Sequence, residues 1–382
     1  MVDSSNIKHL TKNDIVKNGS IFTPQFLVSI VKELLQPYID SNKVIADFGS
    51  GYGAFLEQFA NLGKRCFATE YDNVSYQLLV QEYENIEIYN ENSLIDISRE
   101  KYNLSSMDEL IIVGNPPYND VTSQYKKGEK GILICDDDVQ AKDLGISFLK
   151  AYCKLDAKYV CVLHPLAYLI KKANFNSLGS FKYNYRLLKG VVFSSKCFES
   201  INKTNAEFPV VAALYERDAL GMNFSFIESF EFDIYNHNEK FCLWNINTID
   251  GKVDKYPKKD QHNGLQFYTM RDINALLRNT SFIEGNVANG VEVPLSKLYQ
   301  YAWILYFKEN FNPKSNRFLY GNLSPLYPKN ITDDFKRVCV SYGYYKHTLI
   351  SKYYSKEQIE EEYGLLTDDF STLESELNKL YF

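Results

Sequence analysis

No apolar run in this sequence is long enough to cross a membrane. The longest, such as Leu110 to Val113 and Val160 to Leu163, are broken by polar or charged residues, far short of the ~20 that a spanning helix needs. The opening residues also lack the apolar core of a secretory leader, and the chain reads as soluble and cytoplasmic, with no membrane partner. Cysteines at metal-ligand spacing are missing as well. The seven, at 66, 135, 153, 161, 197, 242 and 339, are odd in number and never form a Cys-x-x-Cys, which speaks against a disulfide framework and a zinc site. They read as reduced, packed thiols, and no metal is expected. Internal repeats and low-complexity tracts are absent. So is any surplus of positive charge, with 42 Lys and Arg against 48 Asp and Glu.

That last absence does not dispose of a nucleic-acid partner, because the charge is uneven. Residues 150 to 205 carry ten basic side chains, among them Lys171, Lys172, Lys182, Arg186, Lys189 and Lys196, against only Asp156 and Glu199. The last 32 residues reverse the sign, with eight acids against three lysines. A charge run is as often a solvated face as a binding surface, so this stretch carries no claim alone. The aromatic share, 15% with 30 Tyr, is compatible with base stacking but more often marks core and sheet. At 382 residues and 45% hydrophobic content the chain buries a real core and suggests two domains.

Thr23-Pro24 opens a stretch with apolar residues at Phe26, Ile30, Val31 and Leu34, which predicts a helix with Thr23 as N-cap and Pro24 in its first position. From residue 43 to about 165, short apolar runs (Val44 to Phe48, Cys66 to Glu70, Ile86 to Tyr89, Leu110 to Val113, Tyr159 to Leu163) alternate with helical stretches (Ala54 to Leu62, from Val74, Leu144 to Tyr152). Strand and helix in alternation predict an α/β fold with a doubly wound parallel sheet. Val210 to Tyr215 reads as a late strand. Beyond Arg217 the texture turns polar and irregular, placing a boundary near 220 between domains 1–220 and 221–382. The second reads as mixed α and β, ending in a polar helix from about Lys356.

The first strand ends in Asp47-Phe48-Gly49-Ser50-Gly51-Tyr52-Gly53 and runs into a helix. Glycines there let the chain turn tightly and bring bare backbone N–H groups to a ligand. The spacing differs from the Gly-x-Gly-x-x-Gly of dinucleotide-binding folds, and a carboxylate beside the loop suits a cationic amino group better than a phosphate. Glu70, ending the next strand, stands where such folds place the acid that accepts ribose hydroxyls. Directly after the strand at 110 comes Asn115-Pro116-Pro117-Tyr118. Two prolines stiffen this loop, so the Asn115 side chain and the Pro116 carbonyl can stand as neighbouring acceptors for both hydrogens of an –NH2 group. Adenine's amino nitrogen is a poor nucleophile, and two acceptors that favour its developing positive charge stabilise the transition state over the ground state. Tyr118 offers a flat surface for the base.

Asp47 to Gly53 followed by Asn115-Pro-Pro-Tyr118 resembles the amino-methyltransferase family, specifically its N6-adenine DNA methyltransferases. Phe22-Thr23-Pro24 ahead of the cofactor loop, and a long region after the catalytic loop, resemble the gamma class. The likeness covers roughly residues 19 to 215. It implies a Rossmann-like methyltransferase sheet with S-adenosylmethionine as cofactor and double-stranded DNA as partner. A target-recognition domain would occupy 221–382, and a companion restriction endonuclease is the associated partner of such enzymes. Carried over residue by residue, Thr23, Asp47, Gly49 and Gly51 surround the methionine portion of the cofactor, Glu70 holds its ribose, Tyr71 or a nearby apolar side chain covers its adenine, and Asn115 counts among the cofactor-binding residues as well. Where the family has an acid near the cofactor's amino group, this sequence has Asn92, preceded by Glu91. Asn115, Pro116, Pro117 and Tyr118 form the catalytic loop. The resemblance also calls for a phenylalanine on the far face of the target base, with Phe198 fitting best and Phe208 its rival. An RNA adenine methyltransferase and a protein glutamine N5-methyltransferase share such loops and stand as alternatives.

Overall fold

The computed structural model describes residues 23–118, 135–198, 207–257, 264–270, 272–285, 287–311 and 317–380; Phe22, Glu199 and Lys203 lie outside the described residues. The chain divides into two compact units, Met1–Asn205 with Pro209–Leu243, and Ala206–Phe208 with Trp244–Phe382. The boundary expected near 220 therefore falls after Leu243, because two short strands beyond 220 belong to the first unit's sheet.

That sheet contains β1 (Val44–Phe48), β2 (Arg65–Glu70), β3 (Glu87–Asn90), β4 (Leu110–Gly114), β5 (Tyr159–Pro165), β6 (Tyr185–Ser194), β7 (Pro209–Arg217), β8 (Phe232–Ile234) and β9 (Lys240–Phe241). Their order is β3-β2-β1-β4-β5-β7-β6-β8-β9. The neighbours among β1 to β5 are parallel. β7 runs antiparallel between β5 and β6, and β9 antiparallel to β8. The doubly wound α/β architecture is the expected one, but the sheet is mostly rather than wholly parallel. Every residue of β1 and of β4 is buried, which is why these strands read as unbroken apolar runs: a central parallel strand is covered on both faces.

Helix α1 (Gln25–Leu35) buries Leu27, Val28, Val31 and Leu35, one stripe at helical spacing, and packs on β5 and β7. Its N-cap is Pro24, not Thr23, and no side chain caps it; the Pro24 carbonyl accepts from Leu27 N–H at 3.0 Å. The helix expected at 54–62 forms regular α structure only over Leu56–Phe59. Helix α2 (Leu144–Lys154) is capped by Asp143, whose carboxylate accepts from Gly145 N–H at 3.0 Å. Because β1 leads to β2 on one side while β4 lies on the other, the chain reverses direction across the sheet between β1 and β4. The carboxyl ends of those two strands frame the crevice where open α/β sheets bind ligands.

The second unit has a small antiparallel sheet, in order β11-β10-β12, of β10 (Gln266–Tyr268), β11 (Phe282–Ile283) and β12 (Gly290–Glu292). Its helices α3 (Leu298–Asn310) and α4 (Asp333–Lys346) pack together around Trp303, whose Nε1 donates to the Leu326 carbonyl at 2.9 Å. The polar helix expected from Lys356 is α5 (Lys356–Tyr363), opened by a capping box of Ser355 and Gln358. All seven cysteines are free thiols. Among the described residues no helix is long and apolar enough to cross a membrane, and no cluster of His, Cys, Asp and Glu has the form of a metal site.

Candidate active site

Asp47, near the carboxyl end of β1, pairs with Ala68 of β2 and Val113 of β4. Its carboxyl group is buried, and neither oxygen has a hydrogen-bond partner among the described residues. Burial, with the nearby Glu70 charge, pushes this carboxyl well above the ordinary carboxylate range. Beside it the chain turns through Gly49 and Gly51, at φ of +75° and +58°, a region L side chains rarely enter. The turn is held from β2. Gly49 and Ser50 N–H both donate to the Thr69 carbonyl at 3.0 Å, and Gly51 N–H donates to Glu70 Oε2 at 2.7 Å. Gly114 completes the cradle, since a Cβ there would stand 2.8 Å from Asp47 Oδ1. An unpaired carboxylate in such a site is costly unless it takes up a proton or a cation.

The catalytic-loop candidates follow at once. Asn115 Nδ2 donates to Thr23 Oγ1 at 3.0 Å, so the threonine that does not cap α1 joins that helix's entry to the loop. Asn115 Oδ1 accepts from the Tyr118 hydroxyl. The acceptor expected to meet a substrate amino group is therefore occupied by the loop's own tyrosine. Burial raises the Tyr118 phenol far above its usual value, so it stays a donor. Pro116 is buried and Pro117 half-buried, and a Cβ on Gly49 would lie 3.9 Å from both Pro117 Cδ and Phe148 Cζ. The glycine loop, the proline loop and α2 thus meet at one place.

The remaining candidates are less uniform. Glu70 is buried beside the glycine loop, its Oε1 accepting from Asp72 N–H at 2.7 Å while Oε2 holds Gly51; burial raises its carboxyl and those two bonds oppose the rise. Tyr71, next to it, is 76% exposed and leaves a ring free to cover a ligand. Asn92 Oδ1 accepts from Leu94 N–H at 3.0 Å, closing its own turn, and the adjacent Glu91 accepts from Tyr102 at 2.6 Å. Phe198 is fully buried, packed edge-on against Phe193 with centroids 6.1 Å apart, so neither ring face is presented to a base. Phe208 is half-buried and belongs to the second unit.

Several residues at the site were not singled out by sequence. Thr69 holds the glycine loop through its carbonyl and through its hydroxyl, 3.2 Å from Gly49 N. Phe148 lies on a predicted helix, but its place against Gly49 is set by tertiary packing. Asp143 receives the Tyr168 hydroxyl as well as the helix N-terminus. Tyr168 stacks on His164, with centroids 5.3 Å apart, and His164 Nε2 stands 2.7 Å from the Tyr215 hydroxyl. Burial lowers this imidazole to about 4 and keeps it neutral.

No family model and no curated protein matches the chain. Among solved structures it is similar to a type I restriction-modification system methyltransferase subunit from Streptococcus thermophilus, at 14% identity over 60% of this chain and 52% of the other, with a TM-score of 0.38. It is similar to the 23S rRNA methyltransferase ErmE at 13% identity over 54% of this chain and 73% of that one, TM-score 0.34. It is also similar to a SAM-dependent methyltransferase from Anabaena variabilis at 10% identity over 54% and 92%, TM-score 0.35.

Proposed function

We propose that this chain is an S-adenosylmethionine-dependent methyltransferase acting on the N6 amino group of adenine in double-stranded DNA, as the modification enzyme of a restriction-modification system. The observation that carries the proposal is the meeting, at the crevice between β1 and β4, of a buried unpartnered carboxylate under a glycine turn with the Asn115-Pro-Pro-Tyr118 loop. The donor set fits the cofactor. Asp47 offers a buried anion for an ammonium group, the glycine turn admits close backbone approach, and Glu70 at the end of the next strand and Tyr71 just after it stand for ribose and adenine. When bound, the cofactor supplies an electrophilic methyl group.

The chain's own residues then do the positioning. Thr23 orients the Asn115 amide through Nδ2, leaving Oδ1 as the acceptor. A substrate amino group takes that oxygen by displacing the Tyr118 hydroxyl, and the Pro116 carbonyl accepts its second hydrogen. Both acceptors gain as positive charge develops on nitrogen, so they act on the transition state. The ring of Tyr118 stacks on the base. A duplex adenine reaches the sheet edge only if it swings out of the stack, and base flipping is part of the proposal. Asn115, Pro116, Pro117 and Tyr118 include no His or Lys, and the proton leaves to solvent.

The test is transfer of labelled methyl from S-adenosylmethionine to mixed-sequence duplex DNA, to RNA and to protein in parallel. Label in duplex DNA is the expected result. Label confined to RNA or to protein glutamine would transfer the assignment to those acceptors.

A further inference from the structure

The phenylalanine nominated by the resemblance for the substrate base, Phe198, is buried. Topology brings another aromatic pair to the same edge of the sheet. β7 is antiparallel to both β5 and β6, and β8 is parallel to β6. β8 therefore ends on the edge where β1 and β4 end, and Tyr235 directly follows it, its N–H donating to the Val192 carbonyl at 2.9 Å. Against Tyr235 lies Phe26 of α1, with ring centroids 5.3 Å apart and planes at 31°. Phe26 is 38% exposed and Tyr235 half-buried, so the pair keeps aromatic surface open to solvent. Phe26 comes three residues after Thr23, whose hydroxyl is bonded to the Asn115 amide. Three residues span at most about 11 Å of chain, so the pair adjoins the catalytic loop.

Two other features make this surface more than exposed core. Leu27, Val28, Ile30, Val31 and Leu35 of α1 are buried, whereas Phe26, one turn before Ile30, stays 38% exposed at the edge of the packed face. Thr23 also locks the entry of α1 to Asn115, fixing the platform relative to the reacting centre. A flat, half-wet aromatic pair suits a planar ligand with polar edges, which is the character of a nucleobase.

We infer that Phe26 and Tyr235 form a stacking platform for a nucleobase of the substrate at the mouth of the active site. The inference rests on the methyl-transfer reading. The pair binds substrate and not cofactor, so its loss falls on substrate KM and on kcat/KM while cofactor affinity stays.

The experiment compares Phe26→Leu, Phe26→Trp and Tyr235→Leu with the wild type, measuring methyl transfer to mixed-sequence duplex DNA and binding of S-adenosylmethionine by calorimetry. Phe26→Leu keeps apolar bulk without a π face and is expected to lower kcat/KM for DNA about tenfold, in the range of stacking losses. Phe26→Trp is expected to stay within about twofold of wild type, and Tyr235→Leu to behave as Phe26→Leu; these magnitudes follow the same range. Cofactor affinity should be unchanged in all three. Equal kcat/KM in the Leu variants overturns the platform while leaving the methyl-transfer reading standing. Weakened cofactor binding in them also overturns it, assigning the pair to cofactor closure. A wild-type protein that labels no nucleic acid overturns the underlying reading, and the platform with it.

Discussion

Asp47 and Asn115 divide the proposed chemistry between them, and their surroundings say how each should respond to change. Asp47 is buried without a partner, so its cost is met either by a proton or by a cationic ligand. Replacing it by Asn should weaken S-adenosylmethionine by on the order of tenfold to a hundredfold, the worth of a charged hydrogen bond, as read by calorimetry. The same residue sets an alkaline limb of stability. A carboxyl whose folded pKa is raised contributes stability that is complete below its unfolded pKa and is lost as pH climbs through the folded value. The cofactor-free protein should therefore melt at lower temperature as pH rises above the usual carboxylate range, and Asp47→Asn should flatten that limb. On the acid side His164, lowered to about 4, works in reverse: its contribution is whole above the ordinary imidazole pKa and is lost as pH falls toward 4. Melting curves from pH 4 to 9 check both, and an unaltered alkaline limb in Asp47→Asn would count against the buried-carboxylate account.

At the scale of elements, the strands that build the site were the legible ones. β1 and β4 are buried on both faces and read as plain apolar runs, each ending in a loop whose residue types have few other uses: glycines at positive φ after one, two prolines after the other. β6 was hidden because it alternates. Tyr185, Leu187, Gly190, Val192 and Phe193 are buried while Lys189 is exposed, a bulge between Leu187 and Lys189 interrupts the period, and the whole reads as part of a basic stretch. The antiparallel direction of β7 has no local signature, since burial on both faces erases the pattern. Thr23 misled for a different reason: Thr before Pro is a strong capping signal, but here the hydroxyl has a tertiary partner in Asn115. The joint between α2 and β5 was equally invisible. Asp143 there serves the helix N-terminus and the buried Tyr168 hydroxyl together. Asp143→Ala should destabilise the protein by about 2 to 4 kcal/mol, adding a lost cap to an unsatisfied buried donor. Tyr168→Phe, which leaves the cap in place, should cost about 1 kcal/mol. Urea denaturation measures both, and equal losses would mean that the cap is not held by this carboxylate.

For the whole molecule, net charge is a poor guide to partner, and the basic stretch is less free than its composition suggests. Lys154 pairs with Asp136 at 2.9 Å and Asp138 at 3.1 Å, Lys158 pairs with Glu216 at 3.0 Å, and Lys182 is buried against Asn176. The salt dependence of DNA affinity should accordingly be shallow, well under the slope of roughly 9 that ten phosphate contacts would give. A titration of binding against salt decides this, and a slope near 9 would mean that those pairs open on DNA. The second unit matched no motif in sequence, and its proposed role in target recognition follows only from the company it keeps with the first. The proposed role of Asn115, to make the amino group of adenine reactive, is tested by nucleoside analysis of duplex DNA incubated with S-adenosylmethionine and either the wild type or Asn115→Ala. N6-methyladenine is expected with the wild type and at least about a hundredfold less with the variant, at unchanged cofactor affinity. N6-methyladenine formed equally by both, or a methylated base other than adenine, would contradict it.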